Sequence, residues 1–265
     1  MRIARIAAGA DVLHVRAGGA PGSASGQPGI PDAWVPIEDP YAAFAAGREP
    51  ADAGEPIAAA DARLLPPAAP TVLIGIAQNR GASDHPSPVQ AWLKSPRSVV
   101  AHGEPVRVRR DAGRLVVEAE VAVVIGRDTG DPAETAVTEA NAHEYVLGVT
   151  AVNDISYPDR AVLDPRNFES KGGEGSTPIG PWIDTGASVD DLVLALELDG
   201  ERVIDTSAQA MPVPVRESIA YVARWLRLGP GDVIMAGAPH SNLEAAPGRT
   251  AAVVVGSVRL ETPLR

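Results

Sequence analysis

The sequence predicts an α+β protein that is mostly β. Three observations carry that expectation. β-Branched runs recur between Gly and Pro turns from Thr71 onward: TVLIGI, RLVVEAEVAVVIG, VLGVTAV, LVLALELDG, GDVIMAG and TAAVVVG. Helical spacing appears in two stretches, Pro132–His143 and Pro214–Leu226, and the second places Val215, Ile219, Val222 and Leu226 on one face. So few helices among so many strands argue against a doubly wound βαβ sheet.

The elements follow in chain order. Arg2–Ala7 and Val12–Ala17 read as short strands, and the Gly/Pro/Ser-rich segment Gly18–Pro31 reads as a loop. The alanine-rich stretch Tyr41–Leu65 holds a short helix, and Pro66–Pro70 is a stiff connector. We therefore divide the chain into a small N-terminal β module, 1–68, and a larger domain, 69–265.

Composition excludes several classes of partner. The formal charge of −11, from 34 acidic and 23 basic residues, comes without a basic stripe interleaved with aromatics, so nucleic acid and anionic membranes are excluded as partners. There is no cysteine, hence no disulfide, thiolate metal site or Cys nucleophile. Without an 18-residue apolar run or a signal-like N-terminus, a soluble cytoplasmic protein is expected. Walker, G-x-G-x-x-G, H-E-x-x-H and G-x-S-x-G motifs are all absent.

The chemistry concentrates in carboxylates. In Val116–Ile125, strand alternation puts Glu118 and Glu120 on one face among apolar residues, while the other face is wholly apolar. Two like charges this close in a low-dielectric setting repel, and a divalent cation is the economical compensation. The alternative is a frayed strand start facing water. Asp154, after the apolar run of VTAVNDIS, is a third acidic group; its alternative is a turn or N-cap role. Three oxygen ligands without Cys or His suit a hard ion such as Mg²⁺, Mn²⁺ or Ca²⁺.

In order, VEAEVAVVIGRD, VTAVNDIS, KGGEGSTPIGPWI, GDVIMAGAP and the closing VRLETPL resemble the fumarylacetoacetate hydrolase family over Thr71–Arg265. The resemblance implies a mixed β-roll catalytic domain, commonly dimeric, behind a small N-terminal β module. It implies Mg²⁺ or Mn²⁺ on Glu118, Glu120 and Asp154, with Lys171 beside ion and substrate. A solvated lysine in a Gly-rich loop is the plainer reading of Lys171.

The chain departs from the family where the reaction is chosen. The usual N-Y-x-x-H-x-x-E stretch is QNRGASDHPSP, in which His85 remains as the candidate base and Pro88 stands in place of the Glu. In a polar loop such a His is otherwise a surface residue. S-A-R-D reads Ser156-Tyr157-Pro158-Asp159, with Arg160 following as a candidate replacement for the Arg, and G-T-P reads Gly237-Ala238-Pro239. The expected partner is a small anionic 2-oxo acid or dicarbonyl substrate. The leading expectation is a metal-dependent hydrolase cleaving a C–C bond in an acylpyruvate or related 1,3-dicarbonyl. The alternative is a decarboxylase, tautomerase/isomerase or hydratase of a 2-oxo acid on the same ion. A non-catalytic scaffold is the third, disfavoured because buried charges without their ion destabilise a chain.

Overall fold

The computed structural model describes residues 1–18, 30–78 and 89–265. Its strands are β1 (Arg2–Ala8), β2 (Asp11–Gly18), β3 (Ala33–Pro36), β4 (Ile57–Ala58), β5 (Arg63–Leu65), β6 (Leu73–Gln78), β7 (Gln90–Lys94), β8 (Val99–Ala101), β9 (Leu115–Ile125), β10 (Val146–Asn153), β11 (Thr177–Asp184), β12 (Val193–Leu198), β13 (Glu201–Ser207), β14 (Val233–Met235), β15 (Asn242–Ala245), β16 (Thr250–Val255) and β17 (Val258–Pro263). Its α-helices are α1 (Pro40–Ala45), α2 (Pro158–Ala161), α3 (Phe168–Lys171) and α4 (Val215–Ala223). The predicted α+β, mostly β class is what the chain adopts.

Among the described residues a 13-stranded mixed sheet follows the order β4-β3-β2-β1-β11-β10-β9-β14-β6-β7, with β15 branching from β9, β5 from β1 and β8 from β11, and a 4-stranded sheet, β13-β12-β16-β17, accompanies it. The two leading strands, expected from the sequence, pair antiparallel as a hairpin, and β1 also pairs with β11, Ile3 opposite Ile183. The N-terminal strands thus lengthen the large sheet.

Strand β9 is the organising element. Its odd-numbered residues, Val117 to Ile125, pack into the main core with Leu194, Leu196, Val253 and Leu260 of the smaller sheet. Ala122 and Val124 face the other way, into a second cluster with Leu73, Val152, Ile179, Val233 and Met235. Both faces are covered, which is why this segment reads as an almost continuous apolar run.

The two expected helices fare differently. Helix α4 forms, with Val215, Ile219 and Val222 buried, and Leu226 N still bonds Val222 O beyond its end. Pro132–His143 is not a helix: two short 3₁₀ turns, Pro132–Glu134 and Ala142–Tyr145, stand there instead. Short polar side chains take over the backbone. Thr138 N donates to Asn141 Oδ1 at 2.7 Å, Asn141 Nδ2 to Ala136 O at 2.9 Å, and Thr135 Oγ1 to Thr129 O at 3.1 Å. Such local bonds compete directly with helical i→i−4 pairing. In the alanine-rich stretch α1 forms early, capped by Asp39, whose carboxylate accepts from Tyr41 N at 2.9 Å. No helix among the described residues is long and apolar enough to cross a membrane.

Candidate metal centre

Alternation along β9 points Glu118 and Glu120 to the same face. Strand β10 runs antiparallel beside them with Val152 opposite Glu120, and just past its end Asp154 N donates to Glu118 O at 3.1 Å. One oxygen from each of Glu118, Glu120 and Asp154 lies within 4.8 Å of the others. The carboxylates are aimed by neutral groups. Ser156 Oγ donates to Glu118 Oε1 at 2.7 Å, and Gly237 N to Glu120 Oε2 at 3.1 Å.

Two ammonium groups enter the cluster. Lys171, at the end of α3, donates to both Glu118 oxygens at 3.1 Å and to Asp154 Oδ2. Lys94, the last residue of β7, donates to Asp154 Oδ1 and, at 3.1 Å, to Ser176 O. Side-chain exposure rises from 0% at Lys94 and 3% at Asp154 to 13% at Lys171 and 15% at Glu118. The cluster therefore opens to solvent on its Glu118–Lys171 side.

Protonation follows from these contacts. Burial, reinforced by the Asp154 charge, pushes the Glu120 carboxyl well above the usual carboxylate range. Burial would raise Asp154 too, yet the Lys171 and Lys94 ammoniums outweigh it and hold that carboxyl below its ordinary value. Burial likewise disfavours the charged Lys171, but Asp154, Glu118 and Glu120 together drive its pKa upward. At Lys94 burial prevails and its pKa falls, with Asp154 opposing.

Of the residues singled out in sequence, Glu118, Glu120, Asp154 and Lys171 are brought together. Arg160 sits on α2, where its Nε donates to Glu169 Oε2 at 2.7 Å, and it makes no bond to the cluster. His85 lies outside the described residues. The Gly237–Ser241 turn bridges β14 and β15, both of which pair with β9. Thr206 Oγ1 holds it through Pro239 O at 2.7 Å, and Ala119 N donates to Ser241 O at 2.8 Å.

Sequence reasoning gave no role to two residues. Asn242 lies directly opposite Glu118 in the β15–β9 register, so its side chain stands beside that carboxylate at the exposed rim. Lys94 is the larger omission. Composition carried a signal for it: the chain has only two lysines among its 23 basic residues, Lys94 and Lys171, and both lie in this cluster.

The donor set suits a hard divalent ion. It is all oxygen, with no His or Cys among the described residues of the cluster, and Glu120 is 2% exposed with a single neutral hydrogen bond. Counted fully ionised, three carboxylates exceed two ammoniums, an excess that a buried group does not tolerate unpaired.

Comparison with known proteins agrees with this chemistry. Residues 71–261 match the family model described as the fumarylacetoacetate (FAA) hydrolase C-terminal domain. Protein Rv2993c of Mycobacterium tuberculosis is 28% identical over 210 residues, 75% of this chain and 77% of that protein. The Escherichia coli homoprotocatechuate catabolism bifunctional isomerase/decarboxylase is 28% identical over 181 residues, 68% of this chain but 40% of that longer protein. The crystal structure of 5-carboxymethyl-2-hydroxymuconate delta-isomerase from Mycobacterium smegmatis superposes with a TM-score of 0.85 at 28% identity, covering 100% of this chain and 99% of the other.

Proposed function

This chain belongs to the fumarylacetoacetate hydrolase family, and on that premise we propose that it is a divalent-metal-dependent enzyme that isomerises or decarboxylates a small anionic 2-oxo acid. The observation that carries the reading is the buried cluster of three carboxylates and two ammoniums, open to solvent only at Glu118 and Lys171. Glu118, Glu120 and Asp154 would hold Mg²⁺ or Mn²⁺. When bound, the ion would supply Lewis-acid charge that favours the enolate of a 2-oxo acid.

The chain's own groups do the rest. Ser156 Oγ and the Gly237 N–H fix the directions of Glu118 and Glu120. Lys171 Nζ, held between Glu118 and Asp154, offers a positive donor on the open side, where it binds and orients a substrate oxygen. Ala122, next along the same face of β9, and Val152, opposite on β10, surround Glu120 with apolar side chains and keep water from its carboxylate. Asn242, opposite Glu118, and Arg160, paired with Glu169 of α3, are candidates to meet the distal part of the substrate.

Isomerisation and decarboxylation need the enolate but no hydrolytic His–Glu dyad, and Pro88 stands where the dyad's Glu is expected. The names of the isomerase and isomerase/decarboxylase relatives support the same choice. C–C hydrolysis of an acylpyruvate is the second reading. The family model, described as a hydrolase domain, favours it, and His85 is its candidate base.

A screen of 2-oxo acids and diketo acids with Mg²⁺ or Mn²⁺ separates the two: CO₂ release or an enol absorbance change supports the first, carboxylic acid release the second. Turnover that persists in EDTA would sink both. His85→Ala should abolish hydrolysis yet barely affect decarboxylation. A homodimer and the division at residue 68 belong to the same proposal; light scattering and limited proteolysis within Pro66–Pro70 check them.

A further inference from the structure

Lys94 has no route to a substrate. Its side chain is 0% exposed, on the inner side of Asp154, while the cluster opens on the outer side at Glu118 and Lys171. Its Nζ is spent on Asp154 Oδ1 and Ser176 O. A lysine so placed influences ligands only through its charge and through Asp154.

The charge arithmetic is short. Counted fully ionised, Glu118, Glu120 and Asp154 against Lys94 and Lys171 leave one net negative charge. A divalent ion turns that into one net positive charge, which attracts an anionic substrate. Without Lys94 the cluster would begin one unit more negative and end neutral.

We propose that Lys94 is an internal counter-ion that couples the metal to the substrate: it weakens the ion's binding on its own and leaves the positive charge that makes ion and 2-oxo acid anion bind cooperatively. The inference rests on the metal reading above. Any effect of the anion on the ion's affinity is matched by the ion's effect on the anion's, because the coupling free energy is shared. Residue choice points the same way. The chain uses arginine at every other basic position, but a planar guanidinium fork asks for bidentate acceptors, whereas one carboxylate oxygen and one carbonyl suit a compact ammonium.

The test is calorimetric titration of Mn²⁺ into wild type, Lys94→Met and Lys94→Gln, with and without oxalate, an unreactive planar dianion, after subtracting Mn²⁺–oxalate binding in solution. In wild type, oxalate should tighten Mn²⁺ binding roughly tenfold, within the ordinary range of coupling. Both variants should bind Mn²⁺ alone roughly tenfold more tightly and lose most of the oxalate effect. Lys94→Gln keeps a hydrogen-bond donor, so wild-type behaviour in that variant would make the role one of hydrogen bonding and overturn the proposal. Weaker or unchanged Mn²⁺ binding in both variants, or no oxalate effect in wild type, overturns it as well. Variants that fold only with Mn²⁺ support it; variants that fail to fold even with Mn²⁺ overturn it, since Lys94 is then a structural requirement independent of the ion. Absence of Mn²⁺ binding in every protein instead removes the metal reading beneath it.

Discussion

Replacing Glu120 with glutamine removes one negative charge from the least exposed glutamate of the cluster while nearly preserving its shape. Glu120 is 2% exposed, accepts one hydrogen bond from Gly237 N at 3.1 Å, and its carboxyl is raised well above its ordinary value of 4.5 by burial and by Asp154. In the metal-free protein between pH 4.5 and that raised value, the folded state holds a proton that the unfolded state has released. Stability therefore falls as pH rises across this window, by up to about 1.4 kcal/mol per pH unit. For a chain of this size that is roughly 3–6 °C of melting temperature per unit. Asp154 does not blur the result: held below 3.8, it contributes stability that is lost only as pH falls under that value. Thermal unfolding in EDTA from about pH 5 to about pH 8 should show a more negative slope in wild type than in Glu120→Gln, because the depressed His14 and His102, which raise stability with pH below 6.5, contribute equally to both proteins. Added Mn²⁺ must displace the proton, so its stabilising effect should grow with pH in wild type and vanish in the variant. Equal slopes in the two proteins, or an undiminished Mn²⁺ response in Glu120→Gln, would refute the reasoning.

Three further outcomes follow from single contacts. Lys171→Met should lower kcat by about 10²–10³-fold, as loss of a preorganised donor does, while the protein keeps its Mn²⁺-dependent melting shift; turnover near wild type would remove Lys171 from the reaction. Gly237 has φ 102°, a conformation side chains resist, so Gly237→Ala should cost about 1–3 kcal/mol in urea unfolding and weaken Mn²⁺ binding by displacing the N–H that aims Glu120. Gly148→Ala would set a Cβ 2.5 Å from Asp184 O and 2.7 Å from Ile183 Cγ2, an overpacking worth about 1–3 kcal/mol of stability, with Mn²⁺ affinity unaffected.

Period-2 alternation made β9 and its paired glutamates legible in the sequence, because a strand places side chains on its faces by local geometry alone. The amphipathic spacing of α4 was legible for the same reason. Local reasoning failed at residues 132–143, where apolar spacing suggested a helix but Thr135, Thr138 and Asn141 spend their side chains on nearby backbone groups. It failed differently at Lys94. Nothing in QAWLKSP says that its lysine is buried, since burial depends on β7 pairing with β6, Leu73 opposite Lys94, and on the arrival of Ser176 and Asp154 from distant segments.

By itself, then, the sequence determined the long β-branched strands, the two faces of β9 and which carboxylates share one of them, while short strands such as β3, β7 and β15 carried no such signal. Only the tertiary structure decided how the charges balance. The Coulomb energy of Lys94 and Asp154 depends on their separation in space and on the dielectric around them, and residues 60 positions apart meet there through strand register across the sheet.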